Sequence, residues 1–220
     1  MDLQLRYPKK SHRKAISLPE DSVDLAELMG IEFGDGGINN PWQLVITLNS
    51  EADREYSIYV SELLTKLFHI QVSIRKRPHG KVLVLVCSSS TLLDFLIVKG
   101  AVRGNKILQQ IDIPTWINHS TTYQRAFVRG LVDTDGCLYI HRHRIKGKEY
   151  RHVGLCFTSF SLPLTKSVAK IFLANGIQPH VTDSGRRIYL YNQNLVIQYL
   201  KIFGSSNSRI LNKFSEWRDG

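Results

Sequence analysis

Two segments of the chain, GIEFGDGGI (residues 30–38) and GLVDTDGCL (residues 130–138), carry an aspartate followed by glycine, and Asp35 and Asp135 lie 100 positions apart. Each follows a run of apolar residues at helical spacing, and each run holds a glycine at the same place, Gly30 and Gly130. A glycine on a helix face lets another backbone come close, so the two runs suit packing against each other with their C-terminal ends side by side. Each end then presents one carboxylate. Two carboxylates held together repel unless cations neutralise them, and oxygen ligands favour Mg²⁺. Ions held in this way activate water and stabilise the leaving oxygen in phosphodiester hydrolysis. A lone Asp-Gly is an ordinary turn, and it is the pair in matched contexts that singles these two out.

The rest of the chain must position these carboxylates and bring them a substrate. It has 220 residues, 43% hydrophobic, which suffices for one large or two small cores. The net charge of +10 favours a polyanionic partner, nucleic acid or an anionic membrane surface. That charge is uneven: residues 121–220 hold 15 Lys and Arg against 6 Asp and Glu, and residues 1–120 hold 14 against 13. No run approaches the roughly 18–20 apolar residues of a membrane span, and the N-terminal stretch lacks the apolar core of a signal peptide, so a soluble intracellular protein is expected. Cys87, Cys137 and Cys156 share no CxxC spacing and indicate neither a disulfide framework nor a zinc site.

Residues 1–20, with Lys9, Lys10, Arg13 and Lys14, read as a basic arm. Ser22 or Asp24 caps a first helix that stops at the glycine-rich GDGG. WQLVITLNS then alternates as a strand, a helical pattern runs through Tyr56 to Leu67, IQVSIRKR and KVLVLVCS form a hairpin, and STLLDFLIVKG is another helix. The order recurs after about residue 120, with CLYIHRHRIK and RHVGLCFTS paired around Gly147, SLPLTKSVAKIFLANG helical, and QNLVIQYLKIFG closing the set. The spacing predicts an internal duplication: residues 21–108, a linker over 109–120, and residues 121–220.

LAELMGIEFGDGG and FVRGLVDTDGC resemble the two motifs of the LAGLIDADG homing endonucleases in their single-chain, two-repeat form. The resemblance covers nearly all of the chain after the arm. It implies an α+β fold, a duplicated αββαββα unit whose two antiparallel sheets form a DNA-binding saddle about a pseudo-two-fold axis at the motif helices. By the same resemblance Asp35 and Asp135 are the metal-binding catalytic carboxylates, with the main-chain carbonyls of Gly34 and Thr134 beside them. Where the motif has a first Asp, the first repeat has Phe33; Asp133 of the second is expected to be structural. The water-positioning Gln or Lys that the family often carries at the end of the second strand is missing from both repeats, which leaves Asn49 and Ser159, or a basic residue such as Lys81, as candidates.

Strand alternation divides core from DNA face. In the second repeat Leu138 and Ile140 point inward and Tyr139, His141 and His143 outward; Val153, Leu155 and Phe157 point inward and His152 and Thr158 outward. Ile188 and Leu190 are buried, which offers Arg187, Tyr189 and Tyr191. In the first repeat Ile70, Val72 and Ile74 are expected inside and Gln71, Ser73, Arg75 and Arg77 outside. A two-stranded ribbon fits the major groove, and Arg142, Arg144, Lys146, Lys148 and Arg186 near the hairpin tips are placed for phosphate.

These readings combine into the expectation of a monomeric, Mg²⁺-dependent, site-specific endonuclease acting on double-stranded DNA, with Ca²⁺ supporting binding but not cleavage; the family resemblance implies short 3′ overhangs. Position 1 is neither Cys nor Ser and the chain ends in Glu-Trp-Arg-Asp-Gly, so intein splicing is not expected. The alternative is a non-cutting nucleic-acid binder of the same fold, such as an RNA splicing maturase or a regulator. A peripheral membrane protein is the third reading, disfavoured by the lack of a long amphipathic helix with a basic face.

Overall fold

The computed structural model describes residues 16–220, so the basic residues of the expected N-terminal arm lie outside the described part. Within it the two repeats follow one plan. The first runs α1 (Val23–Phe33), β1 (Gly36–Asn40), β2 (Gln43–Asn49), α2 (Arg54–Phe68), β3 (Ser73–Lys76), β4 (Val82–Ser88) and α3 (Ser90–Val98). The second runs α4 (Thr121–Asp135), β5 (Gly136–Ile145), β6 (Lys148–Thr158), α5 (Leu162–Ala174), β7 (His180–Val181), β8 (Arg187–Leu190) and α6 (Gln193–Ile202). The sheets have the same antiparallel order, β1-β2-β4-β3 and β5-β6-β8-β7. A 3-10 turn at Thr115–His119 leads into α4.

The local chemistry explains the boundaries. Ser22 caps α1, its Oγ accepting the Leu25 N–H at 3.2 Å. Lys146 and Gly147 both take positive φ, 50° and 80°, which gives the long β5–β6 hairpin a two-residue turn of the kind that matches strand twist. Three features depart from the sequence expectation. The glycine-rich GDGG ends α1 but also begins β1, because Gly36 and Gly37 pair with Ile46 and Val45. Strand β3 is confined to Ser73–Lys76 at a sheet edge, so Ile74, expected inside, is 41% exposed. A further helix, α7 (Ser208–Arg218), follows the closing helix of the second repeat. It lies behind the β5–β6 hairpin, where Trp217 Nε1 donates to the Arg151 carbonyl at 3.2 Å and the Arg151 guanidinium donates to the Glu216 carbonyl at 2.9 Å.

The core is centred on α1 and α4. Every residue of α1 from Leu25 to Phe33 is buried, the charged Glu27 and Glu32 included. A Cβ built on Gly30 would sit 2.1 Å from the Phe127 carbonyl oxygen, and one on Gly130 would sit 2.3 Å from the Glu27 carbonyl oxygen. No side chain fits at either place, and the reciprocal contact makes the helix pair pseudo-symmetric. Phe33 packs edge to face on Phe127 with ring centroids 5.3 Å apart, so the residue that departs from the motif has a packing role. Asp133 is fully buried and accepts the Ser205 hydroxyl at 2.5 Å and the Ser206 N–H at 2.7 Å, a structural position in keeping with the expectation. Among the described residues no helix is long and apolar enough to cross a membrane.

Candidate functional site

Because α1 and α4 cross at their glycines, their C-terminal ends meet. A Cβ on Gly34 would fall 2.0 Å from Thr134 Oγ1 and 3.5 Å from the Asp135 carboxyl carbon, which puts the backbone of one motif against the side chains of the other. Asp35 sits in the turn after α1, its carbonyl accepting the Thr47 N–H at 3.0 Å, and Asp135 is the last residue of α4. Burial pushes the Asp35 carboxyl up to about 6, with the charge of Asp53 adding to the effect and Lys106 and Arg209 opposing it. Asp135 is pushed up to about 7, by burial first and then by Asp35, against the pull of Lys106. Water reaches Asp135 from the open side of the site, which limits how firmly burial alone can hold a proton there.

Lys106, which the sequence reading did not single out, enters this site from the segment after α3. Its Nζ donates to four main-chain carbonyls at the end of α1: Glu32 at 2.6 Å, Phe33 at 2.9 Å, Gly34 at 2.7 Å and Gly36 at 2.7 Å. The unsatisfied carbonyls of a helix C-terminus carry partial negative charge, so a cation is favoured there. Burial presses the Lys106 pKa down, while Glu32, Asp135 and Asp35 hold it up. Glu32 is fully buried, neither of its carboxylate oxygens has a hydrogen-bond partner, and its pKa rises to about 7 through burial, opposed by Lys106. Position 106 lies in GNKILQQ, a polar stretch without periodicity, and only the fold brings it to the helix end.

Arg209 does the same for α4. Its Nη1 donates to the Gly136 carbonyl at 3.1 Å and its Nη2 to the Asp133 carbonyl at 3.0 Å, while its Nε donates to Asp53 Oδ1 at 2.9 Å. Asp53 also accepts Asn207 Nδ2 at 2.8 Å and the Asn49 N–H at 3.2 Å. The two cations are thus held differently. Lys106 takes the carbonyl of Gly34, whereas no side-chain donor reaches the carbonyl of Thr134 among the described residues.

The proposed water-positioning residues are separated by the fold. Lys81 is exposed in an ion pair with Glu51 at 2.6 Å. Asn49 Oδ1 accepts the N–H groups of Glu51 and Ala52 at 2.9 and 3.0 Å, so its side chain closes a turn. Ser159 lines a cavity of about 380 Å³ together with Gly34, Lys106, Asp135 and Thr158, and its Oγ accepts the Ser161 N–H at 3.2 Å. Register supplies a pair that the sequence reading missed. Gly36 pairs with Ile46 and Gly136 with Phe157, so the next residues, Thr47 and Thr158, occupy equivalent places beside the two aspartates.

The outward face of the second sheet carries most of the expected contact residues. Tyr139, His141, His143, His152, Thr158 and Tyr189 lie on one side by register, and Arg187 pairs with Thr158 on that side. His143 stacks between Tyr150 and His152, with ring centroids at 5.6 and 5.1 Å, and Tyr189 stacks on Tyr191 at 4.9 Å. A Cβ on Gly154 would meet the Tyr139 ring at 2.4 Å, so the glycine lets that ring lie across the sheet. Lys148 sits over the Tyr150 ring at 5.6 Å and Arg186 over Phe160 at 5.1 Å. Arg142 and Arg144 have the opposite parity and pair with Glu216 at 3.6 Å and Glu149 at 3.8 Å; Lys146 is in the hairpin turn. In the first repeat, Ser73 and Arg75 lie on the corresponding face, bonded to each other at 3.0 Å, with Gln71 and Arg77 flanking β3. The rest of that face alternates valine with short polar side chains: Val45, Val82, Val84 and Val86 lie beside Gln43, Thr47, Asn49 and Ser88, and Gln43 donates to Ser88 at 3.3 Å.

Fold and site together define a duplicated α+β protein whose two copies each place one aspartate at a shared centre. The profile of the LAGLIDADG-like domain matches residues 122–213, the second repeat. Across both repeats the described chain has the fold of the single-chain LAGLIDADG homing endonucleases. It superposes on the meganuclease I-SmaMI bound to uncleavable DNA with a TM-score of 0.58, at 11% identity over 90% of each chain. It superposes on the homing endonuclease I-LtrWI bound to target DNA with a TM-score of 0.56, at 11% identity over 90% of this chain and 89% of that one. For mesophilic variants of the homing endonuclease I-DmoI the TM-score is 0.52, at 18% identity over 84% of this chain and 96% of that one. No curated protein sequence matches the chain.

Proposed function

We propose that the chain is a divalent-metal-dependent, site-specific endonuclease for double-stranded DNA, acting as a single chain with one catalytic aspartate from each repeat. The observation that carries this reading is the glycine-packed crossing of α1 and α4, which sets Asp35 and Asp135 at one centre beside two sheets of a basic protein. An ion bound at these carboxylates, Mg²⁺ by its preference for oxygen ligands, would activate water and neutralise charge on the phosphodiester. The donor set suits an ion at Asp35 and the Thr134 carbonyl, and suits one less at Asp135, where the Gly34 carbonyl is engaged by Lys106. No cluster of three or more His, Cys, Asp or Glu side chains completes a metal cage among the described residues, so the phosphate itself would supply ligands. I-SmaMI has been solved on uncleaved DNA with calcium ions, in keeping with a divalent-ion requirement for the reading proposed here. Thr47 and Thr158, as equivalent hydroxyls beside the two aspartates, are the residues we assign to orienting water, in place of Asn49 and Lys81.

Selection of bound duplex from a randomised library in Ca²⁺, followed by Mg²⁺ and mapping of cut ends, tests the proposal. Cutting at one consensus, lost in Asp35→Asn and Asp135→Asn while binding persists, is the expected result. The second reading, a DNA or RNA binder that does not cut, is favoured by the occupied Gly34 carbonyl and by the engaged Asn49 side chain. A consensus recovered in Ca²⁺ but left intact in Mg²⁺ would establish it for DNA, and enrichment only from a structured RNA pool would establish it for RNA.

A further inference from the structure

The two halves of the site are chemically unlike at one atom each. On the α4 side the Thr134 carbonyl has no side-chain donor among the described residues, because the guanidinium of Arg209 donates to the flanking carbonyls of Asp133 and Gly136 and to Asp53. On the α1 side the carbonyl of Gly34, a residue whose added Cβ would lie 3.5 Å from the Asp135 carboxyl carbon, accepts the Lys106 ammonium at 2.7 Å. Three further carbonyls surround the same nitrogen within 2.9 Å. An ammonium has three hydrogens, so four oxygens at this range share them and enclose the nitrogen as they would a spherical cation, which leaves no room for a second cation at the same point. The cage is built in: Lys106 bonds backbone atoms, and Glu32, a buried carboxylate with no hydrogen-bond partner, lies close enough to interact with it electrostatically. The equivalent position in the second repeat is an uncharged residue, Val132, 100 positions on.

We propose that the Lys106 ammonium is a tethered cation standing where a divalent ion would sit at the Gly34–Asp135 half, so that the chain binds one divalent ion, at Asp35 and the Thr134 carbonyl. The inference rests on the reading of Asp35 and Asp135 as a nuclease centre. Lys106 neutralises part of the charge of the two aspartates whether or not metal is present, and it does so by position, without being released during turnover.

The test is a count of ions. The full chain is crystallised at saturating Mn²⁺ and the anomalous scatterers are located, for the natural protein, Lys106→Met and Lys106→Gln. One ion in the natural protein, touching Asp35, and a second in either variant, touching Gly34 O and Asp135, is the expected result. Two ions in the natural protein, none, or a single ion on the Gly34 carbonyl would each overturn the proposal, as would variants that fold and gain no second ion. The natural protein decides the first part alone, so variants that fail to fold leave the count standing. Cleavage of selected duplex is measured in parallel. Failure to cut with the expected ion count removes the nuclease reading and keeps the tethered cation; cutting with two ions in the natural protein does the reverse.

Discussion

The two repeats share strand order, helix order and the glycine crossing, yet they present different surfaces. The second repeat has a long hairpin, Gly136 to Thr158, whose outward side is a row of histidine and tyrosine rings, braced from behind by α7. The first repeat has a short β1–β2 hairpin with an irregularity between Gly37 and Asn40, and its sheet face has no histidine or tyrosine on β2, β3 or β4 but mixes valines with Gln43, Thr47, Ser73, Arg75 and Ser88. Hydrogen-bonding rings read base edges, whereas valines contact little besides thymine methyl groups. Duplication therefore preserved what the shared core requires and released the faces to diverge. The buried contacts of α1 and α4 tolerate no added atom, while an outward strand position tolerates almost any side chain.

The comparison can be broken at the centre, where the halves should be equally indispensable. Asp35→Asn and Asp135→Asn should each reduce cleavage of a selected duplex to background while leaving binding in Ca²⁺ within about twofold, as read by gel shift. If one variant keeps half of the natural rate, the pseudo-symmetry is structural only. Next comes the crossing itself. Gly30→Val and Gly130→Val should each destabilise the fold by about 3 kcal/mol or more in urea, since overpacking that must displace backbone exceeds the usual cost. Unequal losses would locate slack on one side of the helix pair.

Glu32 sharpens the comparison, because the other repeat has Val132 in its place. The Glu32 carboxyl has its pKa raised by burial from 4.5 to about 7, so the folded chain binds more protons than the unfolded chain between those values. Stability therefore falls as pH rises through that window, and the full cost is present above it. Glu32→Gln should stabilise the chain at pH 8 by on the order of 2 kcal/mol and have little effect at pH 4, measured by thermal unfolding at both pH values. A smaller effect is expected at the faces. His141→Ala should cost about 1–2 kcal/mol in binding and relax sequence preference under the second repeat, whereas Val45→Ala should alter preference only at thymine, each read from repeated library selection. Smallest is the salt dependence: the half-site under the second repeat, which carries the excess of Lys and Arg, should bind with the steeper salt slope, and equal slopes would remove charge as a difference between the repeats.

The sequence by itself determined the duplication, the two Asp-Gly ends, the crossing glycines and the inward and outward sides of β5, β6 and β8. These follow from periodicities of 2 and 3.6 and from the special place of glycine, all of which are local in the chain. What only the tertiary structure decided lies in the unpatterned segments and in register. Lys106 reaches its helix end from a loop and Arg209 from the first turn of α7, segments whose composition says nothing of direction, and only the fold shows that Glu32 is fully buried beside Lys106. Thr47 and Thr158 became a pair only when strand pairing fixed them against Gly36 and Gly136, whereas counting from the strand ends pointed to Asn49 and Ser159. The extra helix α7 has no counterpart in the first repeat, so the internal repeat gave no template for it. A side chain's periodicity is set by its neighbours in sequence, but the atom it bonds is set by which distant backbone arrives beside it.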